Sequence, residues 1–299
     1  ERISNDQFRL ELVAEITKAW YQVAMAESIE TMLHEALPLL EENVRVNQKL
    51  VDNDKITLDV LYRSKTELIK FNQKIQEGEK NKKMACAYLN FLVNRPLTAV
   101  VKIEEPGQLP LIPESTQWYT QAALKNRKEL KKLQSMEHIM NSQIKMNRAG
   151  ALPDLMIVAD YGFQGGSYAF NKESDFAQAS ALLSWTLFSG FQNRAKIRQT
   201  ILQKEMLEKQ TEEVKKQIEL QLMNVYYELE TSTSGLASAE AQLKSAREGF
   251  KLVNRKYENG MASLIEFIDA RTSFTEAEEL LIISRYQYLS KYADFEKAA

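Results

Sequence analysis

The sequence predicts a mainly α-helical protein, built from two copies of a long antiparallel coiled-coil hairpin with one β-hairpin between the copies. Three observations support this fold class. Only 10 glycines and 6 prolines occur in 299 residues, which favours long uninterrupted elements. Hydrophobic residues recur every seven positions over most of the chain. One short segment instead alternates between apolar and polar residues with a period of two.

The first structural repeat covers residues 1–94 and is predicted to form a helical hairpin. Its first helix is expected to end at a cluster of Asp and Asn, residue types that cap and turn helices. This cluster puts the tip of the hairpin near residues 51–57, and a second helix follows up to Asn94. The heptad columns of the first helix are Ile16, Val23, Leu37, Val44 and Val51, and Leu12, Ala19, Ala26, Leu33 and Leu40.

Residues 95–149 are predicted to be a connector with short helices. Four of the six prolines lie between residues 95 and 115, and proline interrupts both helices and strands. The pattern from residue 116 to residue 149 is helical again, with shorter apolar stretches. We therefore expect an irregular segment followed by one or two short helices.

A β-hairpin is predicted over residues 150–191, with strands at residues 155–163 and 177–188. The odd positions of both segments are apolar, and many even positions are small or polar. Segments of this length and alternation are typical of transmembrane β-strands. An amphipathic hairpin packed on a soluble core has the same periodicity, so the alternation alone leaves both interpretations open.

The second structural repeat covers residues 192–299, and its tip is expected near residues 257–263. Gly260 can supply the left-handed backbone geometry with which many helices end. The heptad columns before the tip are Leu222, Leu229, Leu236, Leu243, Phe250 and Tyr257, and Val225, Ser232, Ala239, Ala246 and Val253. The large column after the tip is Phe267, Phe274, Leu281, Tyr288 and Phe295.

The two hairpins also match each other in sequence, which indicates an internal duplication. An offset of 207 residues pairs Asn53 with Gly260 and Asp59 with Glu266. Nearer the end of each repeat the offset is 206, so the alignment slips by one residue close to the tips. The matched residues are Val46, Asn47 and Lys49 with Val253, Asn254 and Lys256, and Ala87 and Leu89 with Ala293 and Phe295.

Composition excludes several classes of function. The chain has 39 basic and 41 acidic residues and a net charge of −2, so no basic footprint for a nucleic acid is present. The single Cys86 rules out an internal disulfide, and His34 and His138 lie in separate segments without further ligands at metal-binding spacing. No acid, base or nucleophile constellation is found. We therefore predict no enzyme activity, no catalytic residue, no cofactor and no metal site.

Several motifs in this order resemble the TolC-like outer-membrane efflux protein family. A strand end at residues 183–190 (LSWTLFSG) is followed by residues 193–197 (NRAKI), which open a very long helix. Residues 126–130 (NRKEL) are similar to the mid-chain NRPEL box of that family, with Lys128 in place of proline. The second tip, residues 257–260 (YENG), fits the same family. The resemblance spans essentially the whole chain, including the duplication.

The resemblance implies a passive channel in the outer membrane of a Gram-negative bacterium, with a periplasmic extension. Members are homotrimers in which each protomer adds strands to a shared β-barrel and long helices to a periplasmic tunnel. They bind no cofactor, and they receive substrates from an inner-membrane pump of the RND or ABC type through a periplasmic adaptor. The expected function is therefore the channel of a tripartite efflux or type I secretion system.

The resemblance also implies roles for particular residues. Glu266 and Asp269, three apart on one helix face, would narrow the tunnel entrance, although a solvated helix face can carry the same two residues. The adaptor would dock at the tips, through Asp52, Asn53, Asp54, Tyr257, Asn259, Gly260 and Ser263. The lipid-facing side chains of the barrel would be Leu155, Ile157, Tyr161, Leu183, Trp185 and Leu187.

A family member should carry a second strand pair ahead of its first repeat, and this chain starts inside that repeat. We therefore expect the chain to be an N-terminally truncated part of a longer efflux protein. The alternative interpretation is a soluble antiparallel coiled-coil scaffold or interaction protein.

Overall fold

The computed structural model describes residues 2–104, 107–112, 116–164 and 175–298. It confirms the predicted fold class of long helical hairpins with a β-hairpin. The elements are, in chain order, helices α1 (Arg2–Asp52), α2 (Leu58–Leu92), α3 (Thr116–Asn126) and α4 (Lys128–Ala149), strands β1 (Asp154–Phe163) and β2 (Asp175–Ser184), and helices α5 (Gln192–Glu258) and α6 (Leu264–Ala298). Within these ranges, every helix is too short or too polar to span a lipid bilayer.

By its internal contacts the chain divides into two compact units. The first consists of Glu1–Lys125 with Ile218–Ala299, and the second is Asn126–Gln217. The first unit therefore contains both hairpin tips, and the second contains the β-hairpin. The division into four segments drawn from the sequence stays a prediction.

In the first unit, α1 and α2 form an antiparallel hairpin around an apolar seam. Its core comprises Met32, Leu33, Leu40, Phe71 and Ile75, all buried. Gly78 lies under this core, where an added Cβ would come within 3.3 Å of Leu33 Cδ1. The small residue lets the two helices approach closely at this point.

The end of α5 and the whole of α6 form the second hairpin, whose core is richer in aromatic rings. A buried cluster joins Leu222, Val225 and Leu229 of α5 to Tyr288 and Phe295 of α6. Nearer the tip, the rings of Phe250 and Phe274 stack with their centroids 5.6 Å apart. Aromatic pairs in this arrangement stabilise a core beyond their buried area.

Polar contacts join the two hairpins along α1, α2 and α6. Lys18 Nζ lies 2.8 Å from the carboxylate of Asp294, and Lys74 Nζ lies 2.6 Å from that of Glu279. The hydroxyls of Ser28 and Tyr286 are 3.1 Å apart. The connector after α2 packs on the same unit, because Leu109 and Ile112 contact the α5–α6 cluster. These contacts make one helical body from two sequence repeats.

In the second unit, β1 and β2 pair antiparallel with Leu155 opposite Leu183 and Tyr161 opposite Ala177. This register puts the odd positions of both strands on one face. The loop predicted between the strands lies largely outside the described residues, since its residues 165–174 are not among them. The chain then turns into α5 through Gly190 and Phe191, which have φ angles of 60° and 64°.

Candidate functional site

The first tip is a tight helix ending built by backbone hydrogen bonds. Asp54 has a φ of 54°, the left-handed geometry that Asp adopts more readily than most residues. Its N–H donates to Val51 O at 2.9 Å, and Lys55 N–H donates to Leu50 O at 2.8 Å. These two bonds define a Schellman ending. Asn53 adds a third cap, because its Nδ2 donates to Lys49 O at 2.6 Å.

The second tip has the same plan with different residues. Gly260 holds the left-handed position with a φ of 68°. Its N–H donates to Tyr257 O at 3.0 Å, and Met261 N–H donates to Lys256 O at 2.7 Å. Asn259 Nδ2 donates to Arg255 O at 2.6 Å. Bond for bond, the second tip therefore repeats the first.

These matching bonds correct the alignment of the repeats. Asn53 corresponds to Asn259 and Asp54 to Gly260, so the offset at the tips is 206 rather than 207. The expected pairing of Asn53 with Gly260 is therefore wrong, and the position equivalent to Glu266 is Val60, not Asp59. The sequence alignment matched similar side chains across the tip, whereas the backbone turn aligns the residues by their φ angles and hydrogen bonds.

The start of α6 contains a capping box formed by Ser263 and Glu266. Ser263 N–H donates to Glu266 Oε2 at 2.7 Å, and Glu266 N–H donates to Ser263 Oγ at 3.2 Å. The backbone N–H of Ser263, followed by its hydroxyl, holds the pKa of Glu266 below its usual value. The Ser-x-x-Glu spacing is the sequence signature of a capping box. Glu266 therefore has a structural role at the start of α6 in addition to its predicted place at the tunnel entrance.

The first tip lacks an equivalent box. Thr57 precedes α2 and makes no side-chain cap to the backbone. Its hydroxyl donates to the carboxylate of Asp59 instead, and this bond is the main cause of the lowered pKa of Asp59. The two tips thus share their helix endings and differ in their helix beginnings.

The predicted docking residues of the tips divide into two groups. Tyr257 is half-buried: its hydroxyl donates to Asn47 Oδ1 at 2.9 Å, and its ring stacks on that of Phe267 with a centroid distance of 4.7 Å. This tyrosine therefore ties α5 to α1. The remaining six are exposed, namely Asp52, Asn53, Asp54, Asn259, Gly260 and Ser263.

The predicted entrance residues are both exposed on α6. Glu266 is engaged in the capping box, whereas Asp269 lies one turn further along. A buried cation lies just behind them: the guanidinium of Arg271 stands 4.5 Å from the centroid of the Phe71 ring. Burial lowers the pKa of Arg271 to about 10, against the opposing charge of Glu67. The contact joins α6 to α2, and nothing in the local sequence signals it.

The predicted lipid-facing residues lie at the β-hairpin, and all six are exposed. Leu155, Ile157 and Tyr161 share one face of β1, and Leu183 lies on the same face of β2. The opposite face is not uniformly polar, because Met156 pairs with Leu182 there. Both faces of the hairpin therefore present apolar side chains to their surroundings.

The second strand is shorter at its end than predicted. It finishes at Ser184, so Trp185 and Leu187 follow the strand rather than belong to it. Ser184 pairs with Asp154, and the next partner would be Pro153, which has no N–H to donate. Trp185 turns instead toward the end of α4, where its Nε1 donates to Ala151 O at 3.3 Å.

The described residues of this arrangement offer surfaces for contact. Within the described ranges, no group of three or more His, Cys, Asp or Glu side chains converges in a way that could hold a metal ion. The perturbed carboxylates at the tips are engaged in local hydrogen bonds with hydroxyls and backbone N–H groups. What remains available is a set of exposed polar tips and an exposed apolar hairpin.

Known proteins resemble this chain in sequence and in fold. The chain is 21% identical over 299 residues to the alkaline protease secretion protein AprF of Pseudomonas aeruginosa, and the match covers 97% of this chain and 62% of that protein. The chain thus spans less than two thirds of this relative's length.

Two solved structures share the fold. A membrane protein from Pseudomonas aeruginosa matches with a TM-score of 0.86 at 18% identity, over 99% of this chain and 69% of the other. The open state of the MtrE outer membrane channel of Neisseria gonorrhoeae matches with a TM-score of 0.84 at 18% identity, over 99% and 67%.

The family model of the outer membrane efflux proteins matches residues 119–299, which is more than half of the chain. This segment contains the β-hairpin and the second helical hairpin. The protein therefore belongs to the outer membrane efflux protein family and is located in the outer membrane of a Gram-negative bacterium.

Proposed function

We propose that this chain is part of a passive channel through the outer membrane, serving a tripartite efflux system or a type I secretion system. One observation carries the proposal: a β-hairpin exposes apolar side chains on both faces in the same chain as two long helical hairpins. The relative AprF is a secretion protein and MtrE is an outer membrane channel, which supports the same class. Conduction of this kind requires no catalytic group.

The β-hairpin needs partners outside itself. Among the described residues it is a two-stranded sheet, so each strand has one edge without a neighbour. Backbone N–H and C=O groups must be paired in a bilayer, and only a closed barrel achieves this with strands. We infer that further strands from the complete protein and from two more copies close the barrel, which gives a homotrimer.

The helical tips are proposed to dock a periplasmic adaptor, which joins the channel to an inner-membrane pump of the RND or ABC type. The two tips expose the same backbone turn, with Asn53 and Asn259 at equivalent positions. A partner with two similar grooves could therefore contact both tips in the same way. The six exposed tip residues named above are the proposed contacts. Tyr257 stabilises the second tip through its contacts with Asn47 and Phe267.

The carboxylates near the second tip are proposed to form the entrance to the tunnel. Rings of carboxylates around a three-fold axis favour cations and repel anions. Asp269 is the better candidate for such a ring, because its carboxylate has no role in the cap. Glu266 would add charge while holding the first turn of α6.

Conductance of the intact protein in planar lipid bilayers tests this proposal. We expect steady ohmic currents, and we expect Asp269→Asn to weaken block by divalent cations and to change the cation preference. The matched control is Glu276→Gln, seven residues or about 10 Å further along the same face of α6, which should change both properties less because it lies further from the entrance. Absence of membrane insertion and of conductance would contradict the proposal and favour the soluble scaffold.

A further inference from the structure

A patch of exposed apolar side chains lies where the β-hairpin joins α5. Two of its rings, Phe188 and Phe191, contact edge to face with their centroids 5.6 Å apart. An exposed patch of this kind marks an interaction surface rather than ordinary solvent-facing structure. This apolar rim consists of Trp185, Leu187, Phe188 and Phe191, whose exposed fractions are 58%, 78%, 74% and 63%.

Basic side chains lie on the two helices beside the rim. The end of α4 and the start of α5 are held together by a hydrogen bond from Asn147 Nδ2 to Thr200 Oγ1 at 2.9 Å. This contact places Arg148 of α4 and Arg198 of α5 at a similar level, because each lies within two residues of the bond. This basic collar consists of Lys145, Arg148, Arg194, Lys196 and Arg198, all exposed.

The collar is a local excess of positive charge in a chain whose charges otherwise balance. No Asp or Glu occurs between residues 138 and 153 or between residues 176 and 204. None of the five collar side chains forms an ion pair with a carboxylate in the part of the chain that the structure describes. Lys204, further along α5, is by contrast held between Glu137 and Glu208 at 3.7 and 3.3 Å.

We propose that the rim and the collar together bind anionic phospholipid at the periplasmic surface of the outer membrane, with the rim among the acyl chains and the collar on the headgroup phosphates. The inference rests on the proposed function, because the β-hairpin must enter the bilayer for the rim to reach it. Aromatic side chains gather at the boundary between headgroups and hydrocarbon. Basic residues within a Debye length of an anionic leaflet are attracted to it.

The contact between the two groups supports a lipid rather than a free anion. The guanidinium carbon of Arg194 lies 5.7 Å from the centroid of the Phe191 ring, so charge and apolar surface are adjacent. A soluble phosphate would use the collar and leave the rim exposed to water. A phospholipid covers both, because its phosphate lies directly above its acyl chains.

Lipid binding to the intact protein in detergent micelles tests the inference, with phosphatidylglycerol and phosphatidylcholine as the probes. We expect wild-type protein to bind phosphatidylglycerol more tightly, with a preference that weakens as salt is added. The variant R194Q/K196Q/R198Q should raise the apparent Kd for phosphatidylglycerol about a hundredfold, since each of the three charges is worth roughly fivefold. Its Kd for phosphatidylcholine should not change, which also shows that the variant folds.

The matched control is K209Q/K215Q/K216Q, which removes three exposed lysines further along α5. We expect it to keep the wild-type Kd within about twofold. Three results would overturn the inference. The first is an equal rise of the Kd for phosphatidylglycerol in this control, and the second is equal binding of both lipids by wild type. The third is complete displacement of the lipid by inorganic phosphate at the same concentration. Conductance in phosphatidylcholine bilayers separates the two proposals: a protein that conducts there without preferring anionic lipid retains the proposed function and refutes this site.

Discussion

The two helical tips have the same backbone and different side-chain support. Both end their first helix with a Schellman pair of hydrogen bonds and an Asn that caps the carbonyl four residues back. The second tip places glycine at the left-handed position and begins its next helix with a capping box. The first tip has Asp54 at that position and no box. Duplication has therefore kept the turn, while the second copy carries the more complete set of caps.

The buried core below each tip also differs, and the second copy again has the additional contacts. Leu61 of α2 and Phe267 of α6 are equivalent positions, with exposed fractions of 2% and 3%. Phe267 contacts the rings of Tyr257 and Phe250, whereas Leu61 is an aliphatic core residue. The comparison indicates that the second tip is held more firmly than the first. The following substitutions test that difference.

Removing the buried side chain below each tip should have the largest effect. We expect Phe267→Ala to reduce the free energy of unfolding by about 3–5 kcal/mol, and Leu61→Ala by a smaller amount within the range of about 2–5 kcal/mol, because both leave cavities. Guanidinium titration of the intact protein, followed by its helical circular dichroism, measures both. Hydrogen exchange then localises the change, which for Phe267→Ala should include amides near Tyr257. An equal or larger loss at Leu61 would remove the proposed difference.

Exchanging the left-handed residues should have opposite effects at the two tips. Gly260→Ala forces an L-residue into left-handed geometry and should cost about 1–2 kcal/mol. Asp54→Gly relieves a smaller strain and should be neutral or stabilising by up to about 0.5 kcal/mol. Thermal midpoints of both variants, measured beside the wild type, give the signs. A stabilising Gly260→Ala would contradict the assigned backbone.

The smallest effect is a dependence of stability on pH at the second tip. The pKa of Glu266 is lower in the folded protein, because the N–H and hydroxyl of Ser263 bind its charged form. The contribution is therefore complete above the unfolded pKa of about 4.3, and it is lost as the pH falls through the lower folded value. Comparing Glu266→Gln with wild type by hydrogen exchange should show faster opening of the tip at neutral pH and convergence in acid.

Asp59→Asn is the matched control for that titration at the first tip. Its carboxylate is bound mainly by the Thr57 hydroxyl, and the backbone N–H groups of Asp59 and Val60 contribute less. Its removal should therefore change the opening rate of α2 less than Glu266→Gln changes that of α6. A pH profile of the second tip that is unchanged in Glu266→Gln would exclude the capping role.

Sequence periodicity predicted the helical hairpins and the β-hairpin because both depend on local patterns of apolar residues. The alternation of apolar residues continues to Leu187 and predicted a longer β2. The strand ends at Ser184, because Pro153 interrupts pairing on the partner side. The one-residue shift at the tips was likewise invisible, because left-handed geometry is satisfied by Asp54 in one copy and by Gly260 in the other.

Contacts between the repeats were beyond reach of the sequence. Tyr257 binds Asn47 at a separation of 210 residues, and Arg271 lies over Phe71 in another helix. The sequence could assign each of these residues only to its own helix. The capping box of Ser263 and Glu266 is the opposite case, because its spacing is local and could have been recognised directly.

Crosslinking from both tips tests the central claim most directly, namely that two equivalent turns are the docking ends of an outer-membrane channel. Lys55 and Met261 occupy the same position in the two Schellman endings, and both are exposed. A photoreactive residue at either position in the intact protein should crosslink to the periplasmic adaptor in cells, while Gln73 and Gln242, exposed along the helices, should not. Absence of adaptor crosslinks from both tips, or equal crosslinks from the control positions, would contradict the account.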